Sequence, residues 1–177
     1  MGDAPSDWLV DNADLLPRGG RVLDVACGKG RHALWLAAQG FDVHAIDRNA
    51  EAIASLQQSA DSRGLHLTAA VIDLETDPVP QLPQGFDAVL VFNYLHRPLF
   101  PSLLDAVTPG GRIFYETFTA RQAERGHPRN PDFLLKDGEL PALVRPGHVP
   151  FTVVRAREGE FGGRFIASIV AERPIGR

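Results

Sequence analysis

The chain has 177 residues, 44% of them apolar and 23% charged, an ordinary balance for a globular protein with enough apolar mass for one domain without staples. A lone cysteine, Cys27, excludes an internal disulfide; no apolar run approaches the ~18 residues of a membrane helix, and the polar, acidic stretch Met1–Asp7 does not read as a signal peptide. Net charge is −4, split as −7 over residues 1–111 and +3 over residues 112–177, too weak a basic bias for a nucleic-acid enzyme and compatible with either a small anion site or a solvated surface.

Residues Arg21–Ala26 form a short apolar run ending at Gly28 and predict a buried strand. Helix formers over His32–Gln39 with Gly40 as a stop predict a helix, and Phe41–Ile46 a second strand. Ile53, Leu56 and Ala60 put a helix over Asn49–Ala60, followed by a third strand at His66–Ile72. Three prolines and a glycine make Asp77–Gly85 a loop before a fourth strand, Phe86–Phe92. A helical stripe runs through Leu99, Leu103, Leu104 and Val107, with Pro98 and Pro101 in its first turn. Pro109-Gly110-Gly111 then reads as a tight turn into a fifth strand, Arg112–Phe118. Thr119–Pro131 is long and polar, the pattern of a lid or a surface loop. Two β-rich runs, Phe151–Arg157 and Arg164–Ala171, flank a turn over Glu158–Gly163 and predict a hairpin. Strand–helix alternation with a terminal hairpin implies a Rossmann-like three-layer α/β sandwich. Its sheet has seven strands, mainly parallel, with one antiparallel strand from the C-terminal hairpin, and a single domain spans 1–177.

Gly28 and Gly30 follow the first strand in Asp24-Val-Ala-Cys-Gly28-Lys-Gly30-Arg-His-Ala33, letting the backbone turn tightly and approach a ligand closely. Asp47 closes the second strand 19 residues after Gly28, where a carboxylate can accept from both hydroxyls of a ribose. This pair fits a nicotinamide dinucleotide as well as other nucleosides. Asp24, inside the strand end, favours a cofactor ending in an amino acid, whose ammonium it can meet. Asp73 ends the third strand, where an acid can accept from an adenine amino group while the Leu74 backbone supplies an N–H. The six histidines, at 32, 44, 66, 96, 127 and 148, show no metal-ligand spacing with one another or with Cys27, so no metal is expected.

With VLDVACGKG, the acids of AIDRN and VIDLE, and TPGG before a strand, in this order, the chain resembles the class I S-adenosylmethionine-dependent methyltransferases over residues 19–118. The resemblance implies S-adenosylmethionine as cofactor and S-adenosylhomocysteine as product. Asp24, Gly28 and Gly30 would hold the methionine end, Asp47 the ribose and Asp73 the adenine; Ala26, Arg48 and Leu74 join the cofactor set, and Asn93 would face the sulfonium. FLLKDGEL at Phe133–Leu140 is similar to the tellurite-resistance and related small-molecule methyltransferases of bacteria. A nicotinamide-dependent reductase and a non-catalytic cofactor- or partner-binding module stand as rival readings.

Candidates for handling the acceptor follow the fourth and fifth strands: Tyr94, His96, Arg97, Tyr115 and Glu116. His96 is the candidate base by pKa, with Tyr115 beside it as a second catalytic candidate. Each has a structural alternative, His96 at a helix start and Tyr115 as a strand aromatic. Cys27 is expected to pack rather than react, and Trp8 to cover the cofactor. Arg121, Arg125, His127, Arg129 and Asn130 could clamp an anionic acceptor in the polar loop. The expected setting is the cytoplasm, as a monomer or homodimer acting on a small molecule, with neither nucleic acid nor membrane as partner.

Overall fold

The computed structural model describes residues 4–145 and 150–176; Met1–Asp3 of the polar N-terminal stretch, His148 and Arg177 lie outside them. Seven strands form one sheet: β1 (Arg21–Val25), β2 (Asp42–Asp47), β3 (Thr68–Val71), β4 (Phe86–Phe92), β5 (Val107–Phe118), β6 (Thr152–Phe161) and β7 (Arg164–Glu172). Their spatial order is β3-β2-β1-β4-β5-β7-β6, and β7 alone runs antiparallel to its neighbours. The helices are α1 (Asp7–Asp11), α2 (Arg31–Ala37), α3 (Ala50–Ser62), α4 (Phe100–Ala106) and α5 (Glu139–Leu143). The expected fold class is the observed one.

The central strands are apolar on both faces because helices cover both. On one face Leu23, Val25, Val89, Val91 and Ile113 pack with Leu99 and Leu103 near α4 and Leu140 on α5. On the other, Val22, Leu90 and Phe114 meet Leu36 of α2 and Leu56 of α3, together with Trp8 and Leu9 of α1. Among the described residues no helix is long and apolar enough to cross a membrane.

Two expected boundaries move. The Pro109-Gly110-Gly111 stretch is not a turn outside β5 but lies within it. Gly110 donates to the Arg173 carbonyl and Gly111 accepts from the Arg173 N–H, so pairing continues beyond the end of β7. The hairpin turn also shrinks. Glu158–Phe161 remain paired with β7, and the reversal is left to Gly162 and Gly163, both with positive φ, as a tight two-residue hairpin turn requires.

The N-terminal segment is strapped to the sheet by a buried polar network. Glu116 on β5 is fully buried and accepts from Ser6 Oγ at 2.8 Å, Ser168 Oγ at 2.8 Å and Arg157 Nη2 at 3.1 Å. His32 Nε2 accepts the Ser6 N–H at 3.2 Å, and the imidazole ring lies 4.2 Å from that of Phe92. Trp8 Nε1 donates to the Ile169 carbonyl, with the Arg157 guanidinium over its ring. Trp8 is therefore a staple between α1 and β7, which corrects the expectation that it covers the cofactor. Glu116 likewise leaves the list of acceptor-handling candidates, because both its oxygens are committed inside the fold.

Removing one partner of a buried charged pair strands the other. Glu116→Ala is expected to lower unfolding free energy by about 3–5 kcal/mol in denaturant titration. Removal of Glu160, whose pair with Arg125 is solvent-exposed, is expected to change it little.

Candidate active site

The chain passes β1, β2 and β3 to one side, then returns to lay β4 against the opposite edge of β1. Loops leaving the carboxyl ends of β1 and β4 diverge there, and the crevice between them is where open α/β sheets bind ligands. A cavity of about 680 Å³ occupies this edge, within the range of small-molecule sites. Its walls come from four strand ends: Ala26 after β1, Asp47 and Arg48 at β2, Leu74 and Glu75 after β3, and Asn93–Leu95 after β4. Phe118, His127, Pro128 and Phe133 complete it on the β5 side.

Two wall residues are held in the left-handed region without being glycine, Ala26 at φ 54° and Asn93 at φ 57°. Such conformations cost about 1–3 kcal/mol each and persist where the surroundings over-determine them. Both stand at the switch point, on the strand ends that part company. The two loop glycines serve different needs. Gly28 takes a positive φ with open space where a side chain would project, whereas a Cβ on Gly30 would collide with Leu56 of α3. Asp47 holds the loop: its Oδ2 accepts the Gly28 N–H and its Oδ1 the Asn49 N–H, both at 2.8 Å. Cys27 is buried, and burial followed by the charges of Asp24 and Asp47 raises its thiol pKa, as suits a packing residue.

Beneath the loop, Asp24 is 1% exposed and its Oδ2 has no partner among the described residues. Burial pushes its carboxyl up to about 7, against the opposing pull of the Ala33 N–H and Arg31. Asn93 Oδ1, Tyr94 Oη and His96 Nε2 are likewise buried without partners. Two of these unpartnered atoms, on Asn93 and Tyr94, belong to cavity-lining residues, where a polar ligand would satisfy them.

The structure thus brings Ala26, Asp47, Arg48, Leu74 and Asn93 together on the cavity wall. Asp24, Gly28 and Gly30 underlie it rather than line it. Asp73 is beside it, accepting the Glu75 N–H at 3.0 Å. His96 is part-buried with its ring outside the wall. Tyr115 is corrected outright: it is fully buried, stacks on Phe100 at 5.1 Å, and donates its hydroxyl to the Tyr94 carbonyl at 2.8 Å. Its hydroxyl hydrogen bond braces the β4 loop, and burial raises its phenol pKa, so the proton stays on that oxygen. Arg97 is also structural, chelated by Glu139 at 2.6 and 2.9 Å and donating to the Asp132 and Leu134 carbonyls.

The expected anion clamp does not assemble. The guanidinium of Arg121 lies 4.2 Å and that of Arg125 5.1 Å from the Phe165 ring centre, and Arg125 also pairs with Glu160. Arg129 donates to the Gly126 carbonyl and Asn130 caps the next turn. The loop is not wholly free either, since Thr119 and Gln122 are buried and Gln122 Oε1 accepts the Phe165 N–H. Glu75, Phe118, Pro128 and Phe133 are wall residues that sequence reasoning missed. Glu75 had a local signal, as it follows Asp73-Leu74 at a strand end; the others look like core or loop residues. Among the described residues no cluster of three or more His, Cys, Asp or Glu could hold a metal ion.

Comparison with known proteins agrees with this geometry. Residues 6–114 match the family described as tellurite resistance protein TehB. A probable S-adenosyl-L-methionine-dependent methyltransferase TehB from Haemophilus influenzae is 31% identical over 96 residues, covering 54% of this chain and 33% of the relative. The chain spans about a third to a half of the length of the curated relatives it matches. The crystal structure of TehB from Haemophilus influenzae superposes with a TM-score of 0.78 at 20% identity, over 96% of this chain and 62% of that one. Magnesium protoporphyrin IX methyltransferase from Synechocystis with bound S-adenosylhomocysteine gives 0.71 at 19% identity, over 94% and 78%.

Asp24 and His32 predict opposing pH effects on stability. Asp24 binds its proton more tightly folded than unfolded, so its contribution is present at low pH and is lost as pH rises from about 4 to about 7. Burial lowers His32 to about 3, so its contribution is present above about 6.5 and is lost as pH falls toward 3. In chemical unfolding, Asp24→Asn should leave stability rising with pH across this window, and His32→Asn should leave it falling. Parallel slopes for the two variants would contradict the assignment. Matched to its fold and the geometry at its sheet edge, the chain belongs to the TehB tellurite-resistance family of class I S-adenosylmethionine-dependent methyltransferases.

Proposed function

We propose that this chain transfers the methyl group of S-adenosylmethionine to a small soluble acceptor, with S-adenosylhomocysteine as product, and that residues 1–177 act as one domain. The observation carrying the proposal is the switch-point cavity, which combines the ribose-type acid Asp47 with the orphaned oxygen of Asn93 on its wall and lies over the glycine loop above the unpartnered Asp24. These residues fit the cofactor's chemistry. Asp24 Oδ2 is the acceptor for the methionine ammonium, directly or through water. An incoming cation would favour its charged form and so oppose the rise that burial causes.

Asp47 has spare lone pairs after serving Gly28 and Asn49, since a carboxylate offers about four acceptor sites. Those spare sites take the ribose hydroxyls while the acid still fixes the loop. Arg48, paired with Glu75 at 3.3 Å, and Leu74 flank the nucleoside, with Asp73 at the adenine end. Asn93 faces the reacting centre. When bound, S-adenosylmethionine supplies a methyl carbon already activated by a sulfonium. The protein's task is then to align an acceptor in line with that carbon and to exclude water. Phe118, Pro128 and Phe133 provide the water-excluding side. The reading assigns no role to nucleic acid or membrane, and a cytoplasmic monomer or homodimer suffices for it.

Calorimetry with S-adenosylhomocysteine and NAD side by side tests the cofactor. Binding of the former alone is expected, and binding of NAD alone would sink the proposal. Asp47→Ala should weaken S-adenosylhomocysteine by about two orders of magnitude or more, two charge-assisted hydrogen bonds at ~1.5–3 kcal/mol each setting the scale. The same variant should also melt lower without ligand, because the Gly28 and Asn49 N–H groups lose their acceptor. Unchanged affinity would restrict Asp47 to a structural role.

A further inference from the structure

The half of the cavity over β4 and β5 differs in character from the half over β1–β3. Leu95, Phe118, Pro128 and Phe133 are apolar, and the polar side chains that accompany them are Asn93, the Tyr94 phenol and the His127 imidazole, with no Asp, Glu, Lys or Arg on this side. Phe133 is 46% exposed, a large apolar surface left at the rim of a cleft rather than packed away. Its position is fixed, because Arg97 grips the carbonyls on either side of it, Asp132 and Leu134, while Glu139 holds Arg97. Leu134 and Phe118 then share an apolar cluster with Ile166.

Among the described residues no Lys or Arg lines this half of the cavity. Arg97 is chelated by Glu139, Arg121 and Arg125 lie on Phe165, Arg48 pairs with Glu75, and Arg129 is outside the wall. The charges that do line the cavity include the acids Asp47 and Glu75. An oxyanion seated against Phe118 and Phe133 would lose its hydration and gain no counter-charge from the protein.

We propose that this half selects a neutral, apolar, preferably aromatic acceptor carrying an X–H nucleophile, rather than an oxyanion. The proposal rests on the methyltransferase reading above. In the reaction a lone pair on X forms the bond to the methyl carbon, and the carbon–sulfur bond breaks with both its electrons remaining on sulfur as a thioether. The proton of X–H leaves to the imidazole of His127, which is exposed to solvent at the rim and can pass it to water. His127 thereby takes the role that the sequence suggested for His96.

Calorimetry with S-adenosylhomocysteine comes first, so that loss of the cofactor reading itself is seen separately. The saturated complex is then titrated with phenol, benzoate and selenite, observed by NMR. Turnover of S-adenosylmethionine is measured with phenylmethanethiol, selenite and tellurite as acceptors. Phenol is expected to bind, and benzoate and selenite not to. Phenylmethanethiol should be the better substrate by kcat/KM, and Phe133→Ala should raise its KM about tenfold, the scale of one lost aromatic contact, at unchanged S-adenosylhomocysteine affinity. His127→Gln should lower kcat and flatten its pH profile without weakening phenol. Preference for selenite or tellurite over the thiol would overturn the proposal, as would a complex that binds S-adenosylhomocysteine but not phenol. An unaltered KM in Phe133→Ala would overturn it equally.

Discussion

One oxygen of Asp47 takes the N–H of Gly28 and the other the N–H of Asn49, and the geometry of the cofactor edge hangs on this double acceptance. It ties the loop leaving β1 to the residue that caps α3, so the ends of two parallel strands cannot drift apart. With the loop pinned there, the chain leaves β1 through the left-handed Ala26, whose neighbour Cys27 donates to the Ile46 carbonyl. On the other side of the switch point, β4 ends in the left-handed Asn93, whose N–H donates to the Glu116 carbonyl of β5. Each unfavourable conformation is thus over-determined by a hydrogen bond to an adjacent strand. The cleft exists because the backbone is not allowed to relax across it.

Two buried carboxylates near this edge show how structure and function divide the same chemistry. Glu116 and Asp24 are both essentially without exposure, on adjoining parts of one sheet. Glu116 is surrounded by two hydroxyl donors and a guanidinium, and its burial is fully compensated. Asp24 has an oxygen with nothing to accept from, and its elevated pKa is the physical signature of that deficit. A fold selected for stability alone would have no reason to keep the second arrangement. That oxygen lies under the glycine loop, where the proposed function seats the cofactor's ammonium group.

The pairing of the glycine loop with Asp47 was legible in the sequence because its signals are local. A strand end, two glycines and an acid at the next strand end lie within a few residues of fixed backbone geometry, so spacing alone brings Gly28 to Asp47. The acceptor side was not legible, because its residues are defined by which face of an element they occupy. Tyr115 and Phe118 belong to one strand, yet Tyr115 is sealed against Phe100 while Phe118 reaches the cavity. Trp8 and Glu116 looked available until the N-terminal segment folded onto β7. The Pro109-Gly110-Gly111 stretch read as a turn because its strand partner, Arg173, is more than 60 residues away in sequence.

The basic bias of residues 112–177 is the sharpest case of composition misleading about function. Seen as charge alone, it suggests a site for an anion. In the fold five of its eleven Lys and Arg side chains are held at short range: Arg112 pairs with Glu172, Arg125 with Glu160, Arg155 with Asp14 and Arg157 with Glu116, and Arg173 donates to the Val107 carbonyl. These contacts hold β6 and β7 to β5 and to the N-terminal segment, which is what an added antiparallel hairpin needs at the edge of a parallel sheet. A guanidinium directed at a carboxylate of its own chain presents no unpaired charge to a ligand. On the β5 side the cavity is lined by aromatic and aliphatic surface, Phe118, Pro128 and Phe133, with the His127 imidazole. The charge this edge offers to a ligand therefore depends on where the arginines point, not on how many there are.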